Sequence, residues 1–153
     1  MSKPLVSVIT PFFNAEKFIQ EAVASLFAQT YDTWELLLVD DGSTDGSTDV
    51  VLRYVQQYPG RVRYLEHVGH VNRGPSVSRS LGVRQAKGEY IAFLDADDVY
   101  LPHTLERQLA ILGSQPEAAM VCGHAEWWYS WTGNPDAIRD HVRSLGVQLN
   151  RVI

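Results

Sequence analysis

Trp34-Glu35-Leu36-Leu37-Leu38-Val39-Asp40-Asp41-Gly42-Ser43-Thr44-Asp45 passes without a spacer from an apolar run into two carboxylates and a string of turn residues. A short apolar run bounded by turn formers is the pattern of a buried strand, here Trp34 to Val39, stopped by the stretch Asp40 to Thr48. The same punctuation recurs on both sides. Leu5 to Thr10 is an apolar run ended by Pro11, and Tyr90 to Leu94 is another, ended by Asp95-Ala96-Asp97-Asp98.

Helical patterns fill the intervals. Ala15, Phe18, Ile19, Ala22, Val23, Leu26 and Phe27 recur at helical spacing, with Asn14 at the expected N-cap and Glu16 in the first turn. A second helix is expected over roughly Asp49 to Gln57, closed by Pro59-Gly60, and Val62 to Glu66 then reads as a strand. Asn72-Arg73-Gly74 is a loop, and Pro75 opens a helix to about Ala86. Pro102 starts a helix bearing Leu105, Leu109 and Leu112, and Ala118 to Cys122 is expected as a fifth strand. Strict alternation of strand and helix predicts an α/β fold, a mostly parallel sheet with right-handed crossovers and helices on both faces. Ligands of such sheets bind beyond the carboxyl ends of the strands, where the strand order reverses. Pro11, Asp40-Asp41 and Asp95-Ala96-Asp97 each follow a strand directly, so three polar signals land on one edge. The tail is weaker: Trp127, Trp128 and Trp131 precede a turn at Gly133-Asn134-Pro135, and packing is their expected use.

At 153 residues the chain has the size of one domain with a single core. Its net charge of −5, with acids and bases interleaved, argues against a nucleic-acid partner. The longest apolar runs are too short to span a bilayer, and no charged-then-apolar leader precedes Val6. Cys122 is the only cysteine, which excludes an intramolecular disulfide and a cysteine metal site and sets a cytoplasmic expectation.

Three carboxylates in four residues, Asp95, Asp97 and Asp98, repel one another unless a cation sits among them. Hard oxygen donors suit Mg²⁺ or Mn²⁺, which take one or two carboxylates together with substrate phosphates; acids before a helix are the plainer alternative. Asp40-Asp41-Gly42-Ser43 fits a strand-to-helix turn, or a carboxylate that accepts a ring N–H of a base. An EF-hand reading from Asp41 fails because the twelfth position is Leu52. Asn72-Arg73-Gly74-Pro75-Ser76 is able to cradle phosphate or sugar oxygens on backbone N–H groups at a helix start. His67 and His70 read as loop residues. Receiver domains and haloacid-dehalogenase phosphatases also place aspartates after strands, but both need a lysine later in the chain. The lysines here are Lys3, Lys17 and Lys87, and none follows Asp95.

Taken in order, four motifs resemble the family-two glycosyltransferases of GT-A fold: Val6-Ser7-Val8-Ile9-Thr10-Pro11-Phe12-Phe13-Asn14, Leu38-Val39-Asp40-Asp41-Gly42-Ser43-Thr44-Asp45, Asn72-Arg73-Gly74 through Gly82, and Gly88-Glu89-Tyr90 through Asp98. The resemblance runs from about Leu5 to Leu112. It implies a Rossmann-like GT-A fold and metal-dependent transfer of a sugar from a nucleoside-diphosphate donor, most often UDP-linked, to a saccharide or lipid-linked acceptor with inversion. By resemblance Pro11, Phe13 and Asp41 line the nucleobase pocket, Asp41 bonds a uracil-like ring, and Glu16 lies near the rim. Asp95 meets the ribose or the metal, Asp97 binds Mn²⁺ or Mg²⁺ between the phosphates, Ala96 lies between them in the donor site, and Arg79 contacts phosphate or base. The setting implied is cytoplasmic, at the inner face of the membrane, in cell-surface polysaccharide biosynthesis. Two departures stand out. Ser78 and Ser80 replace an alanine and an asparagine usual in the family, and family members continue well past this length. Residues 1–153 are therefore expected as one nucleotide-sugar-binding domain, truncated before its acceptor-binding part, with the general base beyond Ile153. The competing readings are a donor-binding fragment without turnover and a structural domain whose acids only cap helices.

Overall fold

The computed structural model describes residues 3–123 and the short strands Ala125–Trp127 and His141–Arg143. The chain divides into two compact units, Met1–Thr104 and Leu105–Ile153. The first is built as β1 (Val6–Phe12), α1 (Ile19–Phe27), β2 (Trp34–Asp40), α2 (Ser47–Gln57), β3 (Val62–Glu66), α3 (Pro75–Gln85) and β4 (Tyr90–Phe93). Its four strands form one parallel sheet in the order β3-β2-β1-β4. The order reverses between β1 and β4, which makes their carboxyl ends the switch point.

Every residue of β1 and β2 is buried, as expected for central strands covered on both faces. Right-handed crossovers put α1 and α2 together on one face and α3 on the other. Ile9, Leu37 and Val39 form the core under α3, where Leu81 and Leu65 pack against them. Fully burying each such side chain is worth about 1.5–3 kcal/mol. On the opposite face Trp34 meets Phe27 of α1 edge-on at 5.0 Å between ring centroids. β4 closes the described sheet on one side, with Ile91 and Phe93 exposed.

At the amino ends of the strands a buried polar knot joins the layers. Ser7 Oγ donates to Glu35 at 2.6 Å, the Lys87 amide donates to the same carboxylate at 2.7 Å, and Arg63 reaches it at 3.0 Å. The Gly88 amide donates to Ser7 Oγ at 2.8 Å. Burial, the largest single influence on the Glu35 carboxyl, works against ionisation. The donors from Ser7, Lys87 and Arg63 outweigh it and leave the group below its ordinary pKa.

Three local expectations are corrected. β1 does not stop at Pro11 but continues to Phe12 in register with β2. Odd-numbered residues of β1 turn their backbone toward β4, as Leu94 N to Ile9 O shows, and pairing with β4 has ended at Ile9. The N–H that proline lacks would therefore have had no ladder partner. Asn14 is not the cap of α1. It takes a left-handed φ of 50° and Phe18 occupies the N-cap, because the chain first spends a turn reaching the 43–47 loop. Ala118–Cys122 is not a strand. Met120 there is exposed, and apolar character without a paired neighbour does not make a strand.

In the second unit, α4 (Thr104–Ser114) precedes β5 (Ala125–Trp127), which pairs antiparallel with β6 (His141–Arg143). Trp128, Trp131 and the turn expected at Gly133-Asn134-Pro135 lie outside the described residues. Among the described residues no helix is long and apolar enough to cross a membrane.

Candidate functional site: a cleft at the switch point

The carboxyl ends of β1 and β4 and the start of α3 enclose a cleft of about 390 Å³. Pro11, Phe12, Phe13, Ala15 and Phe18 form its apolar wall, with Asn14 among them. Pro75 and Arg79 come from α3, and Asp95, Ala96 and Asp97 follow β4. Phe13 is half exposed, so an aromatic face is presented rather than buried. One wall is thus apolar and aromatic while the other carries charges of both signs.

Gly74 caps α3 with φ 87°, a conformation that a glycine adopts without strain, and Pro75 opens the helix with its missing N–H at a position that needs none. One turn on, Arg79 reaches across to Asp95 at 2.5 Å, with both side chains partly exposed. Asp95, Asp97 and Asp98 crowd one turn, closed by the Asp98 amide on Asp95 O at 3.1 Å. Among the described residues the carboxylates of Asp97 and Asp98 have no hydrogen-bond or ion-pair partner. Burial raises the Asp98 carboxyl above the usual carboxylate range, and the charges of Asp97 and Asp95 push it the same way. Burial also lifts the nearby Tyr100 hydroxyl to about 12.

Among the described residues no three His, Cys, Asp or Glu side chains converge as a closed metal cage. The donor set nevertheless fits a hard divalent ion that arrives with a diphosphate. Such an ion takes one or two carboxylates and fills its remaining positions with phosphate oxygens and water. Asp97 and Asp95 are the two carboxylates on the cleft wall.

Of the expected site residues, the structure brings Pro11, Phe13, Arg79, Asp95, Ala96 and Asp97 together and leaves Asp41 and Glu16 outside the lining. Asp41 is buried, 3% exposed, and its carboxylate serves the chain itself. It accepts the amides of Arg73 at 2.8 Å and Gly74 at 2.9 Å and the Ser78 hydroxyl at 3.1 Å. His67 Nε2 lies 2.8 Å from Ser78 Oγ and 3.5 Å from Asp41. Asp41 therefore fixes the loop that starts α3. Glu16 turns away to accept the Gly46 amide at 3.1 Å, and a Cβ on Gly46 would stand 2.6 Å from it. Asp40 shapes its own turn by accepting Ser43 N at 2.8 Å and Thr48 Oγ1 at 2.6 Å.

The lining also includes Asn14, expected as a helix cap, and Pro75, expected at a helix start and in the Asn72-Arg73-Gly74-Pro75-Ser76 cradle. Asn14 Oδ1 accepts the Thr44 amide at 2.7 Å and its own amide donates to Ser43 Oγ at 3.1 Å, so it ties the cleft wall to the Asp41 turn. Asparagine two residues past the end of β1 was the signal for this, since asparagine tolerates the left-handed region.

The chain matches the family profile Glycosyl transferase family 2 over residues 7–143. It is 39% identical over 125 residues to TuaG of Bacillus subtilis (strain 168), a glycosyltransferase provisionally assigned to teichuronic acid biosynthesis; the match covers 80% of this chain and 48% of TuaG. It is 35% identical to the uncharacterized glycosyltransferase YibD of Escherichia coli (strain K12), over 93% of this chain and 40% of YibD. The chain thus spans about half or less of the length of these relatives. Among solved structures, it resembles S. aureus TarS 1-349 in complex with UDP-GlcNAc, with TM-score 0.65 and 32% identity over 72% of this chain and 32% of that one. It also resembles the mannosyltransferase PcManGT from Pyrobaculum calidifontis in complex with GDP-Man and Mn²⁺, with TM-score 0.69 and 28% identity over 76% of this chain and 34% of that one. The parallel sheet and its flanking helices have the GT-A fold, and the chain belongs to glycosyltransferase family 2.

Proposed function

We propose that the cleft holds a nucleoside-diphosphate sugar, UDP-linked, with Mn²⁺ or Mg²⁺, and that the whole protein transfers the sugar to a saccharide or lipid-linked acceptor with inversion. The observation that carries this reading is the convergence of Phe13, Arg79, Asp95 and Asp97 on one cleft at the switch point. Phe13 and Pro11 receive the base, Arg79 faces the diphosphate, and Asp95 and Asp97 hold the cation. The metal, when bound, neutralises the diphosphate and the developing charge of the leaving nucleotide. Without it, the diphosphate would meet the like charge of the Asp95-Ala96-Asp97-Asp98 turn.

Asp41 acts on the base as well as on the loop. A carboxylate offers about four acceptor positions, and three are taken by Arg73, Gly74 and Ser78, which leaves one for a uracil ring N–H. Glu16 acts at the rim by holding the 45–46 turn. TuaG, provisionally placed in teichuronic acid biosynthesis, supports a role in cell-surface polysaccharide synthesis. A cytoplasmic site at the inner face of the membrane suits a lipid-linked acceptor. Residues 1–153 act as the donor-binding domain, and the chain spans 48% of TuaG and 40% of YibD.

Calorimetric titration of UDP tests the reading, with Mn²⁺ and with EDTA and with GDP as a control. UDP is expected to bind only with the metal, and Asp97→Ala to abolish the difference. Equal UDP binding in EDTA and no effect of Asp97→Ala would sink the metal assignment. No binding of either nucleotide with Mn²⁺ present would leave a structural domain.

A further inference from the structure

We propose that His70 is a positioning residue for the donor site, a cationic clamp that pins the 70–74 segment over the Asp41 turn and so sets the start of α3. The inference rests on the donor-site reading for its functional consequence, and on geometry for the clamp itself.

The two ring nitrogens of His70 face two acceptors. Nδ1 lies 2.8 Å from Glu66 Oε2, and Nε2 lies 2.8 Å from the carbonyl oxygen of Ser43. A carbonyl has lone pairs only, so Nε2 must carry a proton. A proton shared between Glu66 and the ring belongs on the ring, which is the stronger base. Both nitrogens therefore donate at once, and only the imidazolium has two N–H groups. Neutral imidazole makes one of these bonds and must abandon the other.

Groups around the ring favour its charge. The Ser43 carbonyl contributes most and the Glu66 carboxylate next, and burial opposes them weakly; Asp40, at the end of β2, adds its charge. Together they raise His70 above the ordinary histidine pKa. Tyr64 Oη sits between Asp40 Oδ2 at 3.2 Å and Glu66 Oε2 at 3.0 Å, so the clamp ends in a bridge across β2 and β3. The sign follows. A histidine whose folded pKa is raised gives its full contribution at low pH and loses it as pH rises through the raised value.

What the clamp holds is the approach to the site. His70 takes φ 50°, and the chain beyond it lies directly on Gly42: a Cβ there would be 2.8 Å from Asn72 N and 3.0 Å from His70 O. The next two amides, Arg73 and Gly74, dock on the Asp41 carboxylate. Pro75 and Arg79 follow on the cleft wall. The imidazolium thus joins the Asp41-Gly42-Ser43 turn to the segment that delivers Arg79, and it does so without touching the cleft.

NMR on the chain separates the clamp from the donor reading. The His70 ring is expected to titrate above the ordinary histidine pKa, and the protection of the Arg73 and Gly74 amides, corrected for intrinsic exchange, to fall roughly two- to tenfold across that titration, the range of one hydrogen bond. His70→Gln, which does not titrate, should remove the step, and Glu66→Gln should move it to lower pH. UDP affinity with Mn²⁺ should weaken over the same window in the wild type and stay level in His70→Gln. A His70 midpoint at or below the ordinary value, or amide protection with the same pH course in wild type and His70→Gln, overturns the clamp. If UDP fails to bind at any pH while the amide step is present, the donor reading fails and the clamp stands.

Discussion

Gly82→Ala tests how closely α3 must approach the sheet for the cleft to exist. A Cβ built on Gly82 would stand 2.4 Å from Ile9 Cγ2, and 3.2 Å and 3.3 Å from Cγ1 and Cδ1. Ordinary contact begins near 3.4 Å, so about 1 Å (3.4 − 2.4) must be found. Ile9 is not able to supply it: it is fully buried against Leu37 and Val39, and a β-branched side chain on a strand has little χ1 freedom. The helix must lift instead. Overpacking costs ~1–3 kcal/mol, and a clash with a locked side chain belongs near the top of that range. Alanine returns ~1 kcal/mol of helix propensity over glycine, which leaves a net loss of about 2 kcal/mol. Arg79 stands three residues earlier on the same helix, so lifting it pulls the guanidinium from Asp95, now 2.5 Å away.

Urea denaturation reads the stability loss as a lower midpoint at constant slope. Calorimetry with UDP and Mn²⁺ reads the displacement of Arg79 as weaker binding. A double-mutant cycle makes the assignment specific. Ile9→Ala removes the methyl group in conflict, so Gly82→Ala should cost less in the Ile9→Ala background than in the wild type. A Gly82→Ala protein as stable as wild type, or strict additivity with Ile9→Ala, would refute the close-approach argument.

Three further outcomes follow from named contacts. Glu35→Gln should cost ~1–3 kcal/mol at pH 7, because Arg63, Ser7 and the Lys87 amide lose a charged acceptor. The Glu35 pKa is depressed in the fold, so its contribution is present above the ordinary glutamate pKa and is lost as pH falls through the depressed value. Urea midpoints of wild type and variant should accordingly converge in acid, and a gap that persists there counts against the charge. Asp41→Ala should weaken UDP more than CDP, by roughly five- to a hundredfold for one lost ring N–H bond. Equal losses for both nucleotides would reduce Asp41 to the holder of the 73–74 loop. Arg79→Ala should weaken UDP by roughly ten- to a hundredfold, the worth of a charge-assisted bond, and leave uridine nearly unchanged; equal losses for both would take Arg79 off the phosphate.

The architecture was legible because each central strand is a short, mostly apolar run bounded by turn formers, and the alternation with helices leaves few topologies. The cleft's charged wall was legible for a similar reason: Asp95, Ala96 and Asp97 come one residue after β4, and Arg79 lies one turn into a helix announced by Gly74-Pro75. What local pattern does not contain is partnership across the chain. Asp41 is bound by amides 32 and 33 residues away, and nothing in Asp40-Asp41-Gly42-Ser43 tells which carboxylate faces its own turn and which faces the loop. His67 and His70 read as loop residues and are so, yet one meets Ser78 on α3 and the other bridges Glu66 and Ser43. Ala118–Cys122 failed for the complementary reason, since a strand is defined by its neighbour.

A parallel sheet sends every strand end to one edge, and this chain places five aspartates there: Asp40, Asp41, Asp95, Asp97 and Asp98. The fold satisfies three of them itself. Asp40 organises its own turn, Asp41 holds the loop before α3, and Asp95 pairs with Arg79. Asp97 and Asp98 receive no donor among the described residues, and only Asp97 of these two lines the cleft. The unmet demand for positive charge is therefore concentrated at one point, beside an arginine already held by a neighbouring carboxylate. On the proposed reading, a ligand that brings both a cation and phosphate oxygens would answer both needs together: Asp97 and Asp95 would hold the cation, and the guanidinium of Arg79 would face the phosphates. A neutral sugar or a bare cation answers only one. That asymmetry is the physical argument for the proposed metal-bound diphosphate over either component alone.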